Sequence, residues 1–165
     1  MPKKKTYRPS LGNIKLLLLD VDGVMTDGGV YYSETGDEQK KFNIQDGYGI
    51  VKAQRKGMKF GIITGRVSAI VKRRAAELGI DEVHQSVEEK ALVYQQIKTR
   101  LGLADSEVAY IGDDEPDLPV LRQVGFSAAP ADALDVVKRS VHYVCRRSGG
   151  KGAVREVIEK ILAGR

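Results

Sequence analysis

The stretch Ile14-Lys15-Leu16-Leu17-Leu18-Leu19-Asp20-Val21-Asp22-Gly23-Val24-Met25-Thr26-Asp27 decides the fold. Apart from Lys15, its first half is apolar, as a strand buried on both faces of a parallel sheet must be, and it stops at two carboxylates spaced two apart. Three later points in the chain repeat the pattern of an apolar segment meeting reactive side chains. Lys59 to Ile63 runs into Thr64-Gly65-Arg66, Lys90 opens a helical segment, and Val108 to Ile111 runs into Gly112-Asp113-Asp114-Glu115-Pro116-Asp117. In doubly wound α/β sheets ligands bind beyond the carboxyl ends of the strands, so these four points are expected to share one site.

Between them, strand and helix patterns alternate. Val67, Ile70, Val71, Ala75 and Leu78 recur at helical spacing before Gly79, and Val93, Tyr94, Ile97 and Leu101 mark another helix. A strand is expected near Val83, and others at Phe126 to Ala128 and Val141 to Cys145; the last helix carries Val154, Val157, Ile158, Ile161 and Leu162. Asp46 reads as the cap of a helix running to about Lys56. Gly28 to Phe42, with β-prone Val30, Tyr31 and Tyr32 and a Ser33-Glu34-Thr35-Gly36 turn, reads as a projecting hairpin. The expected fold is therefore α/β, a Rossmann-like doubly wound, mostly parallel sheet with a hairpin at about 28–43.

At 165 residues the chain holds one core, and the expectation is a single domain over 13–165 behind a flexible basic arm over 1–12. Four of its five net positive charges are Lys3, Lys4, Lys5 and Arg8, so the body is nearly neutral and no nucleic-acid partner is expected. No apolar run approaches the roughly 20 residues of a membrane span, which gives the expectation of a cytoplasmic protein with no membrane partner. The single cysteine, Cys145, excludes an internal disulfide and, without a Cys/His cluster, a structural zinc. His84 and His142, which follow apolar residues near expected strands, read as structural.

Carboxylates at the end of a buried strand are costly to desolvate as bare anions, so Asp20 and Asp22 imply a cation or a shared proton. The donors on offer are oxygens, which favours Mg2+. The Thr64 hydroxyl, the Lys90 ammonium and backbone N–H groups near Gly23 and Gly65 would then hold phosphate oxygens, the outline of a phosphoryl-transfer site. Singly, each motif reads as an ordinary turn, cap or surface lysine; four of them in this order at successive strand ends do not.

The set resembles the haloacid dehalogenase superfamily, whose motifs are D-x-D-G-x-x-T-D, a strand-end Thr or Ser, a Lys, and G-D-D-x-x-D, and the likeness runs from about Lys15 to Leu162. It implies that Asp20 is the nucleophile that becomes an aspartyl-phosphate and Asp22 the acid and then the base. It further implies that Mg2+ is held by Asp20, the Asp22 carbonyl and Asp113, while Asp114 and Asp117 orient metal waters and Lys90. Neither place where larger relatives insert a cap has room for one here. Phe42 to Ile50, Ile63 to Arg66, Gly112 to Val120 and Gly149 to Glu156 look like the capless 3-deoxy-D-manno-octulosonate 8-phosphate phosphatases. That likeness implies a homotetramer joined through the hairpins, neighbours completing each site, and an eight-carbon sugar-acid phosphate on the route to lipopolysaccharide. Candidate substrate contacts are Gly23, Asp46, Gly65, Arg66, Lys151 and Arg155. Gln45 stands where relatives often carry Arg, while Arg66 favours the eight-carbon substrate over nine-carbon 9-phosphates of the sialic acid type. A non-catalytic regulatory subunit of the same fold is the remaining alternative.

Overall fold

The computed structural model describes residues 9–165. Six parallel strands form one sheet in the order β5-β4-β1-β6-β7-β8: β1 is Leu16–Leu19, β4 Lys59–Ile63, β5 Glu82–His84, β6 Val108–Ile111, β7 Phe126–Ala129 and β8 Tyr143–Val144. The four leucines of β1 are buried, which their central place between β4 and β6 requires. The side-chain period of two divides them between two cores. Leu17 and Leu19 pack with α1 (Ile44–Gln54), α2 (Ala69–Glu77) and α6 (Ala153–Ala163). Leu16 and Leu18 pack with α3 (Lys90–Leu101), α4 (Leu118–Leu121) and α5 (Asp135–Lys138). Helices cover both faces, as the alternation of segments led us to expect.

Of the basic arm expected over 1–12, residues 1–8 lie outside the described residues. Leu11–Asn13 form a 3-10 turn whose Leu11 packs against the first core. The hairpin is smaller than its sequence suggested. Strands β2 (Tyr31–Tyr32) and β3 (Glu38–Gln39) pair antiparallel as a separate two-stranded sheet, closed by Gly36 N–H donating to the Ser33 carbonyl at 2.9 Å. Val30, Tyr31 and Tyr32 stay exposed at 49%, 45% and 65%, so within one chain this ribbon has no apolar face to bury, and its pairing stops early. No described helix is long and apolar enough to cross a membrane.

The expected cap of α1 moves by three residues. Asn43, in extended backbone, accepts hydrogen bonds from the Gln45 and Asp46 N–H groups, and the helix starts at Ile44. Asp46 is thereby released for a longer-range role.

Candidate active site

Asp20 follows directly on β1, its N–H bonded to the Ile111 carbonyl of β6 at 3.1 Å, so the sheet register sets it beside the loop that carries Asp113. Its Oδ1 accepts from the Val21 N–H at 2.8 Å and from Lys90 Nζ at 3.0 Å. Lys90, the first residue of α3, is buried and places the same ammonium 2.7 Å from Asp117 Oδ1. Asp117, fully buried, accepts four hydrogen bonds: Lys90 and the Tyr110 hydroxyl on Oδ1, the Asp113 and Asp114 N–H groups on Oδ2. One carboxylate thus joins β6, the loop after it and α3.

Oxygen atoms of Asp20, Asp113 and Asp117 lie within 4.8 Å of one another. Burial most of all, then the charge of Asp117, outweighs the pull of Lys90 and holds the Asp20 carboxyl well above the usual range. Burial followed by Asp117 pushes Asp113 to about 7. Burial alone would lower the Lys90 ammonium; Asp20 and Asp117 overcome it and hold Lys90 above the ordinary lysine range. Three acids against one ammonium lack a positive charge, and Asp113 Oδ1 is buried without a hydrogen-bond partner among the described residues. An all-oxygen donor set with one orphaned carboxylate oxygen suits a hard divalent cation.

The loop of Asp20 to Asp27 leaves no slack. Gly23 has a φ of +83°, and a Cβ there would stand 2.0 Å from Asp113 Oδ2, so only glycine lets the two motifs close. Gly149 fits equally tightly, a Cβ at that position meeting the Gly23 carbonyl oxygen at 1.9 Å. The glycine turn before α6 is therefore packed on the back of the first motif. Thr64, at the end of β4, is buried, and its N–H and carbonyl are tied to His84 and Val87.

Other expected site residues fall elsewhere. Asp114 was expected, with Asp117, to orient metal waters and Lys90; of the two, Asp117 bonds the ammonium, while the Asp114 side chain caps the turn Glu115–Asp117, accepting from the Glu115 N–H at 2.6 Å. Asp46 does not face an open site. It is buried, and its Oδ1 accepts from the Arg155 N–H at 2.8 Å, tying α1 to the first turn of α6. Desolvation raises its carboxyl to about 6. Arg155 pairs with Glu159 at 2.7 Å and stacks on Tyr48; Lys151 is exposed. A recess of about 540 Å3 brings Arg155 together with Gln45, Arg146 and Arg147, and Arg147 Nη1 donates to Gln45 Oε1 at 3.0 Å. Arg66 pairs with Glu38 of the hairpin at 3.0 Å. His84 bonds Glu82, His142 bonds Ser127, and the buried Cys145 thiol is pushed up to about 12 by desolvation, all structural roles.

Sequence reasoning missed Lys40. Its Nζ is 2.7 Å from Asp22 Oδ1 and 3.1 Å from Glu38 Oε1, and its side chain is 2% exposed. Nothing local marks it, since Lys40-Lys41 reads as a solvated end of the hairpin until the ribbon is folded back.

Comparison with known proteins gives the same reading. A haloacid dehalogenase-like hydrolase family model matches residues 48–125. The 3-deoxy-D-manno-octulosonate 8-phosphate phosphatase KdsC of Escherichia coli (strain K12) is 45% identical over 150 residues, covering 91% of this chain and 80% of that one. The chain belongs to that phosphatase family. Among solved structures, the phosphatase of this family from Yersinia pestis superposes with a TM-score of 0.92 at 44% identity, covering 94% of this chain and 84% of that one. The family member from Moraxella catarrhalis, solved in complex with a magnesium ion, a phosphate ion and KDO, gives 0.92 at 40% identity and covers 94% and 90%.

Proposed function

We propose that this protein is a magnesium-dependent phosphatase that hydrolyses 3-deoxy-D-manno-octulosonate 8-phosphate to the free sugar acid and phosphate, a step in making lipopolysaccharide precursors. The observation that carries the chemistry is the crowding of Asp20, Asp113 and Asp117 within 4.8 Å around a single ammonium. The substrate comes from family membership, since the relatives that match are named for that sugar acid.

Asp20, Asp113 and the Asp22 backbone carbonyl would hold Mg2+, and when bound it offsets the negative charge shared by these carboxylates and a phosphoryl group. Asp20 attacks phosphorus while Lys90, Thr64 and the N–H groups of the Asp20 to Asp27 loop receive the phosphoryl oxygens. Lys90 serves twice, because the ammonium that steadies the Asp20 carboxylate is also the cation facing the phosphate. Asp22, outside the buried cluster, gives its proton to the leaving sugar oxygen. As the carboxylate left behind, it then takes a proton from the water that attacks the aspartyl-phosphate.

Recognition of the sugar acid falls to the outer groups. Arg66 offers a forked guanidinium at the rim, 41% exposed, and the Gln45, Arg147 and Arg155 recess supplies further cationic donors. The exposed Val30, Tyr31 and Tyr32 of the hairpin support assembly of four chains through that ribbon, each site being finished by a neighbour, in the cytoplasm.

The test is phosphate release with and without Mg2+ from eight-carbon and nine-carbon sugar-acid phosphates and from simple phosphate esters. Metal-dependent turnover at least tenfold faster on the eight-carbon ester is expected. Preference for the nine-carbon ester would replace the substrate, equal rates on simple esters would remove the specificity, and no turnover on any would leave a non-catalytic subunit.

A further inference from the structure

Among the described residues, Lys40 has a side chain almost withdrawn from solvent beside the site, and the chemistry above does not use it. A lysine ammonium is withdrawn from water only where fixed anions replace its hydration, and its long side chain loses rotamer entropy when it is held still. Here two carboxylates meet that cost: Asp22 Oδ1 at 2.7 Å, from the first motif, and Glu38 Oε1 at 3.1 Å, from β3 of the hairpin. Glu38 is in turn held by Arg66 Nη2 at 3.0 Å, from the turn after β4. Charges alternate along Asp22, Lys40, Glu38 and Arg66, and this chain of contacts fastens a ribbon of only two residue pairs to the mouth of the site. A ribbon that short does not hold its own shape in water.

We propose that Lys40 is a positioning residue for the Asp22 carboxyl, so that the hairpin fixes the orientation of the acid that protonates the leaving group. The inference rests on the reading of Asp22 given under Proposed function. Lys40 engages Oδ1 at 2.7 Å and so fixes how the Asp22 carboxyl is turned at the mouth of the site. In the first half-reaction the Asp22 carboxyl proton moves to the bridging ester oxygen as the P–O bond breaks and phosphorus bonds to Asp20, leaving Asp22 a carboxylate against the Lys40 ammonium. In the second, that carboxylate removes a proton from water as the water oxygen bonds to phosphorus and the Asp20–phosphorus bond breaks. Atoms and charge balance without any further reagent.

The consequence is selective. kcat/KM reports only the steps up to departure of the leaving group, and an alkoxide needs a proton where a nitrophenolate does not. Lys40→Met is therefore expected to lower kcat/KM on the sugar-acid phosphate at least tenfold while leaving that on p-nitrophenyl phosphate within threefold of wild type. Lys40→Arg, which keeps the charge, is expected to restore the ratio of the two to within threefold. Glu38→Gln, which weakens the second carboxylate partner of Lys40 and leaves its contact with Asp22 in place, is expected to give a smaller selective loss of two- to fivefold, and it serves if Lys40→Met does not fold. A merely structural lysine would depress both substrates by the same factor, and that result, or no change on either, overturns the proposal. Asp22→Asn, measured alongside, separates the two readings. If it shows no leaving-group selectivity, the assignment of Asp22 as acid fails; if it does and the Lys40 and Glu38 variants do not, the positioning role alone fails.

Discussion

The inner end of the site and its outer rim are built in opposite ways. At the inner end Asp20, Asp113, Asp117 and Lys90 stand at or just beyond the ends of sheet strands or at a helix start, and their hydrogen bonds run to one another and to the backbone. At the rim, Asp22, Lys40, Glu38 and Arg66 are joined by side-chain ion pairs across a ribbon of two residue pairs. The inner end has fixed geometry and too much negative charge; the rim has balanced charge and little architecture. On the proposed reading, chemistry common to phosphoryl transfer belongs to the first, and adjustment of acid, substrate and subunit contacts to the second.

The contrast predicts a graded response to damage. Asp117→Ala strands four donors in a fully buried place, one of them an ammonium, and should cost about 3–5 kcal/mol in denaturant unfolding. A loss below about 1 kcal/mol would mean that the inner end is not held by this residue.

A smaller effect concerns pH. The folded metal-free protein holds a proton on Asp113 up to about 7, whereas an unfolded aspartate loses it near 3.8. The folded state therefore binds the proton more tightly, and this contribution to stability is full below pH 3.8 and is lost as pH rises through 7. Between pH 5 and 8 the metal-free wild type should lose stability relative to Asp113→Asn, by on the order of 2 kcal/mol, and saturating Mg2+ should flatten the wild-type slope. Parallel pH curves for the two proteins would contradict the charge imbalance at the inner end.

The smallest effect is expected at the rim. Tyr32 is 65% exposed, so Tyr32→Ser should change the unfolding free energy of one subunit by less than about 0.5 kcal/mol while weakening subunit association in light scattering. Unchanged mass across a concentration series would remove the hairpin from the interface.

What the sequence disclosed follows the same division. The buried leucines of β1 and the acid-rich loops after β1 and β6 are local patterns, and the register of a parallel sheet turns local order into proximity, so Asp20 and Asp113 were legible before any coordinates. Asp114 and Asp117 looked alike in Gly112-Asp113-Asp114-Glu115-Pro116-Asp117, and only the 3-10 turn shows that one faces Lys90 and the other solvent. Asn43 took the cap that Asp46 seemed to offer, because the choice between neighbouring polar residues depends on where α6 docks. Lys40 was illegible for a stronger reason: its role arises only when an irregular ribbon folds back across 18 residues.

The central claim is that Asp20 carries the phosphoryl group. Acid-quenching a single turnover of sugar-acid phosphate labelled in its phosphoryl group, with Mg2+ present, measures this most directly. The account predicts label bound covalently to wild-type protein and released by hydroxylamine, as an acyl phosphate requires, and no label on a folded Asp20→Asn variant. Hydroxylamine-resistant label on wild type, or label on Asp20→Asn, would contradict it.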